Sequence, residues 1–179
     1  MPAQNRIYIA TSLDGFIADR NGGLAWLENV DNPEGDDMGY GEFMENTDAL
    51  LMGRTTFETV CGFDVDWPYT KPVYVLSNSL TDVPAEYEGK VWLVKGALPE
   101  VLQHIHERGH YRLYVDGGQT ITNFLAEGLI DEMIITVFPI LLGGGHRLFG
   151  ALPEAQNLEL VGSKVCVGKL VQSHYRRKE

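Results

Sequence analysis

The sequence predicts an α/β fold of three layers, α/β/α, in which helices cover both faces of a central sheet that is mixed but mainly parallel. Short apolar runs that end in polar residues or glycine, such as 73–76 and 113–115, have the length and composition of buried strands. Segments with helical spacing lie between most of these runs, and strands joined by helices pair in parallel. The alternation therefore predicts a sheet that is buried on both faces.

The predicted elements follow one another along the whole chain. A strand at 6–11 comes first, and two strands joined by a turn at Gly168 form a C-terminal β-hairpin, which makes the sheet mixed. The predicted strands are 6–11, 49–52, 73–76, 91–94, 113–115, 132–138, 158–164 and 170–175, and the predicted helices are 36–46, 99–108 and two that begin at 55 and after Gly118.

The composition is that of one globular domain over residues 1–179. Hydrophobic residues make up 44% of the chain and charged residues 22%, and we find no internal repeat or linker-like segment. No apolar run approaches the ~20 residues that span a bilayer. The N-terminus also lacks the apolar core of a signal peptide. We therefore expect a soluble, cytoplasmic protein.

Charge and cysteine content restrict the partners. The net charge of -11 opposes binding to nucleic acid or to an anionic membrane, because nothing offsets the repulsion from phosphates. The two cysteines, Cys61 and Cys166, are too few for a disulfide framework and lack metal-ligand spacing. We expect a small-molecule partner, with no nucleic acid, no membrane and no metal.

The junction after the strand 113–115 has the features of a pyrophosphate site. Gly117 and Gly118 follow the strand, and Gln119, Thr120 and Ile121 then open a helix. Glycines allow close backbone approach, and the N-terminus of a helix attracts anions. A plain strand-to-helix turn gives the same pattern, so this junction alone does not decide between the two interpretations.

A second junction follows the strand 49–52. Gly53 ends this strand, Arg54 comes next, and Thr55 and Thr56 begin a helix. One arginine, two hydroxyls and free N–H groups form a compact phosphate clamp. Alternatively, Thr55 caps the helix and Arg54 pairs with a surface acid.

A third set of polar residues follows the strand 73–76. After Leu76 come Ser77, Asn78 and Ser79, whose hydroxyls and amide suit a ribose or its 2′-phosphate. Turn residues often give this pattern as well. Lys95 ends the next strand and could also reach a phosphate, although a solvated lysine is the simpler interpretation. Because ligands of open α/β sheets bind at the carboxyl ends of the strands, the three sets together predict a nucleotide site.

In their order, these motifs resemble the dihydrofolate-reductase superfamily along nearly the whole chain. Segment 52–57 (Met-Gly-Arg-Thr-Thr-Phe) is similar to its adenine-side phosphate motif, and 76–79 to its 2′-phosphate–ribose segment. Segment 116–119 (Asp-Gly-Gly-Gln) is similar to its Gly-Gly turn under the pyrophosphate. Segment 10–18 resembles the first strand and the loop beside the nicotinamide.

Two further segments resemble one branch of the superfamily. Ser-Leu-Asp-Gly at 12–15 and the glycine-rich segment 139–149 are similar to the reductases of riboflavin biosynthesis, which are RibD C-terminal domain-like. Members of the family tend to have a cis peptide between the two glycines of the pyrophosphate turn. The resemblance therefore implies a cis bond between Gly117 and Gly118.

The resemblance also implies NADPH as the cofactor and suggests which residues bind it. The expected cofactor-binding residues are Ala10, Leu13, Phe16, Ile17, Gly53, Arg54, Thr55, Thr56, Leu76, Ser77, Asn78, Ser79, Lys95, Gly117, Gly118, Gln119, Thr120 and Ile121. The expected substrate-binding residues are Asp14, Trp26, Asp37, Leu142 and Gly143.

Asp37 is the expected catalytic acid. Dihydrofolate reductases carry a carboxylate on the first helix that binds the pterin, and Asp37, seventeen positions before Arg54, lies where that acid belongs. On a helix, Asp37 would share a face with Tyr40 and Met44. Acids at a helix N-terminus also act as caps, and this alternative stays open, as does a core position for Trp26.

The implied function is NADPH-dependent reduction of a heterocyclic substrate. The branch reaction acts on a pyrimidine ribosylamine phosphate, 5-amino-6-(5-phosphoribosylamino)uracil, which is opened and reduced to a ribitylamine. Two alternatives remain: a dihydrofolate or pterin reductase, and a nucleotide-binding protein without catalysis. Riboflavin-type relatives associate through the end of the sheet at 139–149, so a homodimer is also expected.

Overall fold

A sheet of eight strands forms the centre of the computed structural model, which describes residues 2–179. The strands are β1 (Gln4–Ser12), β2 (Phe16–Ala18), β3 (Ala49–Gly53), β4 (Val73–Leu76), β5 (Val91–Val94), β6 (Arg112–Asp116), β7 (Glu132–Phe138), β8 (His146–Arg147), β9 (Leu158–Cys166) and β10 (Leu170–Arg177). The large sheet has the order β5-β4-β3-β6-β1-β7-β10-β9, and β2 and β8 form a small sheet of their own. All neighbours from β5 to β7 are parallel, whereas β10 is antiparallel to β7 and β9. The predicted mixed, mainly parallel sheet with a C-terminal hairpin is confirmed.

Helices cover both faces of this sheet. They are α1 (Tyr40–Glu45), α2 (Arg54–Cys61), α3 (Leu98–Glu107) and α4 (Gly118–Ala126). Strand β3 explains the layering, because its buried side chains alternate between the two sides. Leu51 packs in the core under α3 and α4, and Leu50 and Met52 pack with Phe43 of α1 and Phe57 of α2. The three predicted layers are therefore confirmed.

The first helix is shorter than predicted. The expected span was 36–46, but α1 begins only at Tyr40. Met38 and Gly39 have φ angles of 55° and 82°, and these left-handed conformations cannot continue a right-handed helix. Asp37 therefore lies in the segment before the helix.

The C-terminal hairpin turns at the predicted position. Val167 and Gly168 have φ angles of 46° and 71°, and the N–H of Lys169 donates to the carbonyl of Cys166 at 3.1 Å. Positive φ at both central residues matches the right-handed twist of paired strands. The turn brings β9 to the outer edge of the sheet, where all its residues except Cys166 are exposed.

Four parallel strands end at one edge of the sheet. Gly53 lies opposite Leu76, Leu76 opposite Val94, and Met52 opposite Asp116. The junctions that follow these strands are thus brought together, although they are far apart in the sequence. Within residues 2–179, none of the helices has both the length and the apolar character needed to cross a membrane.

Candidate active site

A cleft of about 800 Å³ lies along the edge where β3, β4, β5 and β6 end; we call it the large cleft. Its lining is Ile17, Gly53, Arg54, Thr55, Thr56, Leu76, Ser77, Asn78, Gly96, Ala97, Leu98, Gly117, Gly118, Gln119, Thr120, Thr122, Asn123, Ala126, Glu127, His146, Arg147 and Gly150. The structure thus brings together twelve of the eighteen residues that the sequence suggests for a cofactor. They come from β2 and from the junctions after β3, β4 and β6.

Three helices begin at the large cleft. The residues before α2, α3 and α4 are Gly53, Ala97 and Gly117, and no side chain at these positions caps the helix with a hydrogen bond. The N–H groups of each first turn therefore have no side-chain acceptor and remain available to an anion. This arrangement fits the two phosphates of a dinucleotide.

Close packing explains the glycines at these junctions. A Cβ on Gly117 would lie 2.5 Å from Oγ1 of Thr56, and one on Gly53 would lie 2.9 Å from Oγ1 of Thr120. A Cβ on Gly118 would collide with the carbonyl oxygen of Arg147 in β8. Because these glycines lack a Cβ, the neighbouring elements pack closely at this edge and the backbone is accessible to a ligand.

The expected cis peptide between Gly117 and Gly118 is wrong. Every peptide bond described in residues 2–179 is trans. Gly117 makes the turn through a φ of 96°, which a residue without Cβ adopts readily. Its N–H donates to Oδ1 of Asp116 at 2.9 Å, so this group faces the protein rather than the cleft.

Arg54 and the serines after β4 form the cationic end of the large cleft. The Arg54 guanidinium donates to the Ser79 hydroxyl at 3.4 Å, and its Nε lies 3.9 Å from Glu58. Half of the Arg54 side chain is exposed, so it is available to a ligand. The Ser77 hydroxyl accepts the N–H groups of Ser79 and Leu80 and holds this turn in place. Lys95 is exposed and does not line the cleft.

A smaller pocket of about 220 Å³ continues from the large cleft; we call it the small pocket. Its lining is Ile9, Ala10, Ile17, Ala18, Gly22, Leu24, Leu27, Thr55, Thr56, Thr59, Val60, Phe63, Tyr69, Asp116, Gly117 and His146. The residues shared with the large cleft are Ile17, Thr55, Thr56, Gly117 and His146. A ligand in the large cleft can therefore touch a second ligand in the small pocket.

Asp116, the last residue of β6, is the acid of the small pocket. Burial raises the pKa of its carboxyl to about 6, and the N–H of Gly117 opposes this shift. Burial also raises the pKa of the phenols of Tyr40, Tyr69 and Tyr114, and the nearby charge of Asp116 raises it further. A partly protonated carboxyl in an aromatic pocket is typical of a general acid.

Asp116 is not among the site residues that the sequence suggests. The signal was an acid placed directly before two glycines at the end of a buried strand. His146 and Arg147 were not in the expected set either. His146 and Arg147 line the large cleft, and the guanidinium of Arg147 lies 5.0 Å from the centre of the Phe16 ring.

Asp14 lines neither cavity, because its carboxylate is used inside the protein. It accepts the Ser12 hydroxyl at 2.6 Å, the N–H of Leu142 at 3.1 Å and the N–H of Gly143 at 2.8 Å. These bonds, that of Ser12 foremost, lower the pKa of Asp14. Asp14 thus ties the loop before β2 to the loop after β7, and Leu142 and Gly143 contribute their N–H groups to this contact. Leu13, in the first of these loops, is 65% exposed.

Asp37 is engaged as a local cap. Its carboxylate oxygens accept the N–H groups of Gly39 and Gly41 at 2.9 Å each, and these bonds lower its pKa. It is exposed and lines neither cavity. A catalytic role for Asp37 stays a prediction, which the structure supports less well than a role for Asp116.

Three other expected site residues are placed in or next to the core. Trp26 is 5% exposed and packs edge-on against Phe138, with ring centres 5.4 Å apart. Ile121 has no exposed surface, and Phe16 lies under Arg147. Trp26 and Ile121 were expected to contact a ligand, but they pack in the core instead. No atom of Ile121 and little of Trp26 is accessible. Ala10, by contrast, lines the small pocket.

Comparisons with known proteins found a matching family model and similar chains. The model of the RibD C-terminal domain family matches residues 6–171. The uncharacterized protein YwjB of Bacillus subtilis (strain 168) is 36% identical over 180 residues, which is 99% of each chain. A crystal structure of a protein from Shewanella sp. PV-4 that is named for riboflavin biosynthesis superposes with a TM-score of 0.96 at 52% identity, covering 98% of this chain and 99% of that one.

A more distant likeness bears on the fold alone. The dihydrofolate reductase of Enterococcus faecalis, solved with NADP(H) and RAB-propyl, superposes with a TM-score of 0.67 at 19% identity, over 98% of this chain and 97% of that one. The two chains share a fold.

Proposed function

We propose, since the chain belongs to the RibD C-terminal domain family, that it is an NADPH-dependent reductase of a nitrogen heterocycle. The continuity of the two cavities is the observation that carries this proposal. A cleft with three helix N-termini and an arginine opens directly into a pocket with a carboxyl of raised pKa. A reductase needs a dinucleotide and a substrate in contact, and this arrangement provides for both.

The large cleft would bind NADPH through backbone and side-chain donors. The first turns of α2 and α4 would bind the pyrophosphate. Arg54, with the hydroxyls of Ser77 and Ser79, would bind the 2′-phosphate of the adenosine ribose. Ile17 and Thr56 would position the nicotinamide, because they line both cavities. When bound, NADPH supplies the hydride.

Asp116 would supply the proton. Reduction of a C=N bond requires a hydride at carbon and a proton at nitrogen, and a carboxyl with a pKa of about 6 keeps part of its protons near neutral pH. In the branch reaction, the ribosylamine opens to an imine, whose carbon takes the hydride and whose nitrogen takes the proton. The same chemistry would reduce the C=N bond of a dihydropterin.

The proposal is tested by NADPH oxidation with a panel of pyrimidines and pterins that includes 5-amino-6-(5-phosphoribosylamino)uracil and dihydrofolate. We expect one member to be reduced by the wild type and not by Asp116→Asn, while both proteins bind NADPH. Binding of NADPH without oxidation by any member would favour a nucleotide-binding protein without catalysis. Failure to bind NADPH would contradict the cofactor assignment.

We also propose that the protein forms a homodimer through its C-terminal hairpin, β9 and β10. In the glycine-rich loop where the sequence suggests an interface, Leu148 is 1% exposed and belongs to the core. Leu141 and Phe149 of that loop are exposed, and a larger group of exposed apolar side chains lies on β9 and β10: Leu158, Leu160, Val161, Val165 and Val171. An unpaired edge strand with apolar side chains is typical of an interface.

A further inference from the structure

The two cavities differ in the charge of their side chains. Arg54 and Arg147 line the large cleft, at which three helices also begin. Over the described residues 2–179, no lysine or arginine lines the small pocket, whose ionisable side chains are Asp116, Tyr69 and His146. Phosphates are bound by cations and by N–H groups at helix ends. Thr55 and Thr56, in the first turn of α2, line both cavities, but both arginines and the starts of α3 and α4 lie in the large cleft alone. Most phosphate-binding groups therefore lie in the cleft proposed for the cofactor.

Asp116 makes the small pocket unfavourable for a second phosphate. Its carboxyl is partly buried and lies near the phenols of Tyr40 and Tyr69. A phosphate placed beside an ionised carboxylate is repelled, and the repulsion is larger where water is partly excluded. A carboxylate accepts hydrogen bonds instead, and the ring N–H and amino groups of pyrimidines and pterins are suitable donors.

The size of the small pocket leads to the same conclusion. Its volume of about 220 Å³ also has to accommodate the nicotinamide ring where it meets the large cleft. Sites for drug-sized ligands are larger, at ~300–1,000 Å³. The remaining space suits one compact ring system and leaves little room for an attached ribose phosphate.

The basic side chains around the small pocket do not provide a phosphate site. Arg20 donates to the carbonyl oxygen of Gly143 at 2.7 Å, and the guanidinium of Arg147 lies over the Phe16 ring. His146 is the basic side chain that remains, at the junction of the two cavities. A single histidine offers a phosphate fewer donors than an arginine, which can bind it through two parallel N–H groups.

We infer that the substrate is a compact nitrogen heterocycle that carries no phosphate and that donates a ring N–H or amino hydrogen to Asp116. The inference rests on the proposed reductase function. It departs from the pyrimidine ribosylamine phosphate that the family resemblance implies.

Matched ligand pairs test the inference. The probes are 5-amino-6-ribitylaminouracil and dihydroneopterin, each as the free alcohol and as its phosphate ester, titrated by calorimetry into the protein saturated with NADP⁺. For at least one pair we expect the alcohol to bind as tightly as its ester or more tightly, with no change in the ratio between low and high salt. Asp116→Asn should weaken both members of that pair about tenfold or more, because a hydrogen bond to a charged group is lost.

The outcomes are distinct. An ester that binds tenfold or more tightly than its alcohol, with an advantage that His146→Ala or added salt removes, would overturn the inference and leave the reductase proposal intact. Affinities that are equal in Asp116→Asn and in the wild type would overturn the role of Asp116. If NADP⁺ binds but no member of either pair does, both the inference and the heterocycle-reductase proposal fail.

Discussion

Asp14 and Gly143 are 129 positions apart in the sequence, and Oδ2 of Asp14 accepts the N–H of Gly143 at 2.8 Å. The same carboxylate accepts the N–H of Leu142 and the hydroxyl of Ser12. This contact fixes the loop before β2 against the loop after β7. Ile17 of β2 lines both cavities, so the contact also sets one wall of the proposed nicotinamide site.

Asp14→Asn should impair cofactor binding more than the chemical step. An amide presents an NH₂ group to one of the two backbone donors, so one hydrogen bond is replaced by a repulsive contact. We expect the KM for NADPH to rise about tenfold, in line with the ~1.5 kcal/mol of a charge-assisted bond, while kcat changes less. Steady-state kinetics would measure the split. Asp31→Asn, which removes the same charge from an exposed position, serves as the control.

Asp116→Asn should abolish most of the reductase activity and its dependence on pH. Because burial raises the pKa of Asp116 to about 6, the wild-type kcat should fall as the pH rises through that value. The facing phenols of Tyr40, Tyr69 and Tyr114, whose pKa values are also raised, stay neutral over this range. General acids contribute about 10²- to 10⁴-fold, and we expect a loss of that size. A variant with wild-type activity would exclude Asp116 as the proton donor.

The same substitution should stabilise the fold above neutral pH. A carboxyl whose pKa is raised on folding favours the folded state fully below its ordinary value of 3.8, and this contribution is lost as the pH rises through about 6. Asp116→Asn has no such loss. We expect its free energy of unfolding in urea to exceed that of the wild type by about 3 kcal/mol at pH 8. The difference should disappear below pH 4, and an equal difference at both pH values would point to packing rather than charge.

Arg54→Ala should change the choice of cofactor. The half-exposed guanidinium beside Ser79 is placed to bind a 2′-phosphate, which NADH lacks. Loss of a charge-assisted contact of ~1.5–3 kcal/mol should weaken NADPH about 10- to 100-fold and leave NADH nearly unchanged. Fluorescence titration with both cofactors gives the comparison, with the exposed Lys90→Ala as a charge control. Equal weakening of NADPH and NADH would contradict the assignment.

At micromolar concentration, light scattering should give a molecular mass twice the 19.9 kDa of one chain. Val165→Glu, at a β9 position that is 67% exposed, should yield the single chain, because a charge cannot be buried in an apolar interface. Val65→Glu is the matched control, since Val65 is 68% exposed but lies in the loop after α2. A wild type of 19.9 kDa, or dissociation by both variants alike, would exclude this interface.

The elements of the sheet could be predicted because their signals are local. The apolar run of β3 has no exposed side chain from Ala49 to Met52, and a short continuous run of this kind is typical of a buried strand. The start of α1 could not be predicted as well. Its position depends on the left-handed backbone of Met38 and Gly39, which the pattern of apolar residues does not encode.

The large cleft could be predicted from local sequence signals, whereas the acid of the small pocket could not. Glycines and threonines at helix starts mark the large cleft within a few residues of sequence, as at Gly53 and Gly117. The raised pKa of Asp116 arises from burial, which no local pattern reveals. The sequence pattern favours Asp37 because it precedes a helix, but in the structure that position is an exposed cap, where the carboxylate accepts the N–H groups of Gly39 and Gly41.

The position of β1 has a consequence for the synthesis of the chain. β1 pairs with β6 through Gln4 and Arg112, and with β7 through Arg6 and Glu132. At ~5–20 residues per second, the ribosome makes Glu132 roughly 6 to 25 s after Arg6. Until β6 is made the strand has two open edges, and from then until β7 is made it keeps one. Unpaired strand edges promote association with other chains. The slow, non-local closure of the sheet around its first strand therefore leaves an edge of β1 exposed on the nascent chain until β7 has emerged.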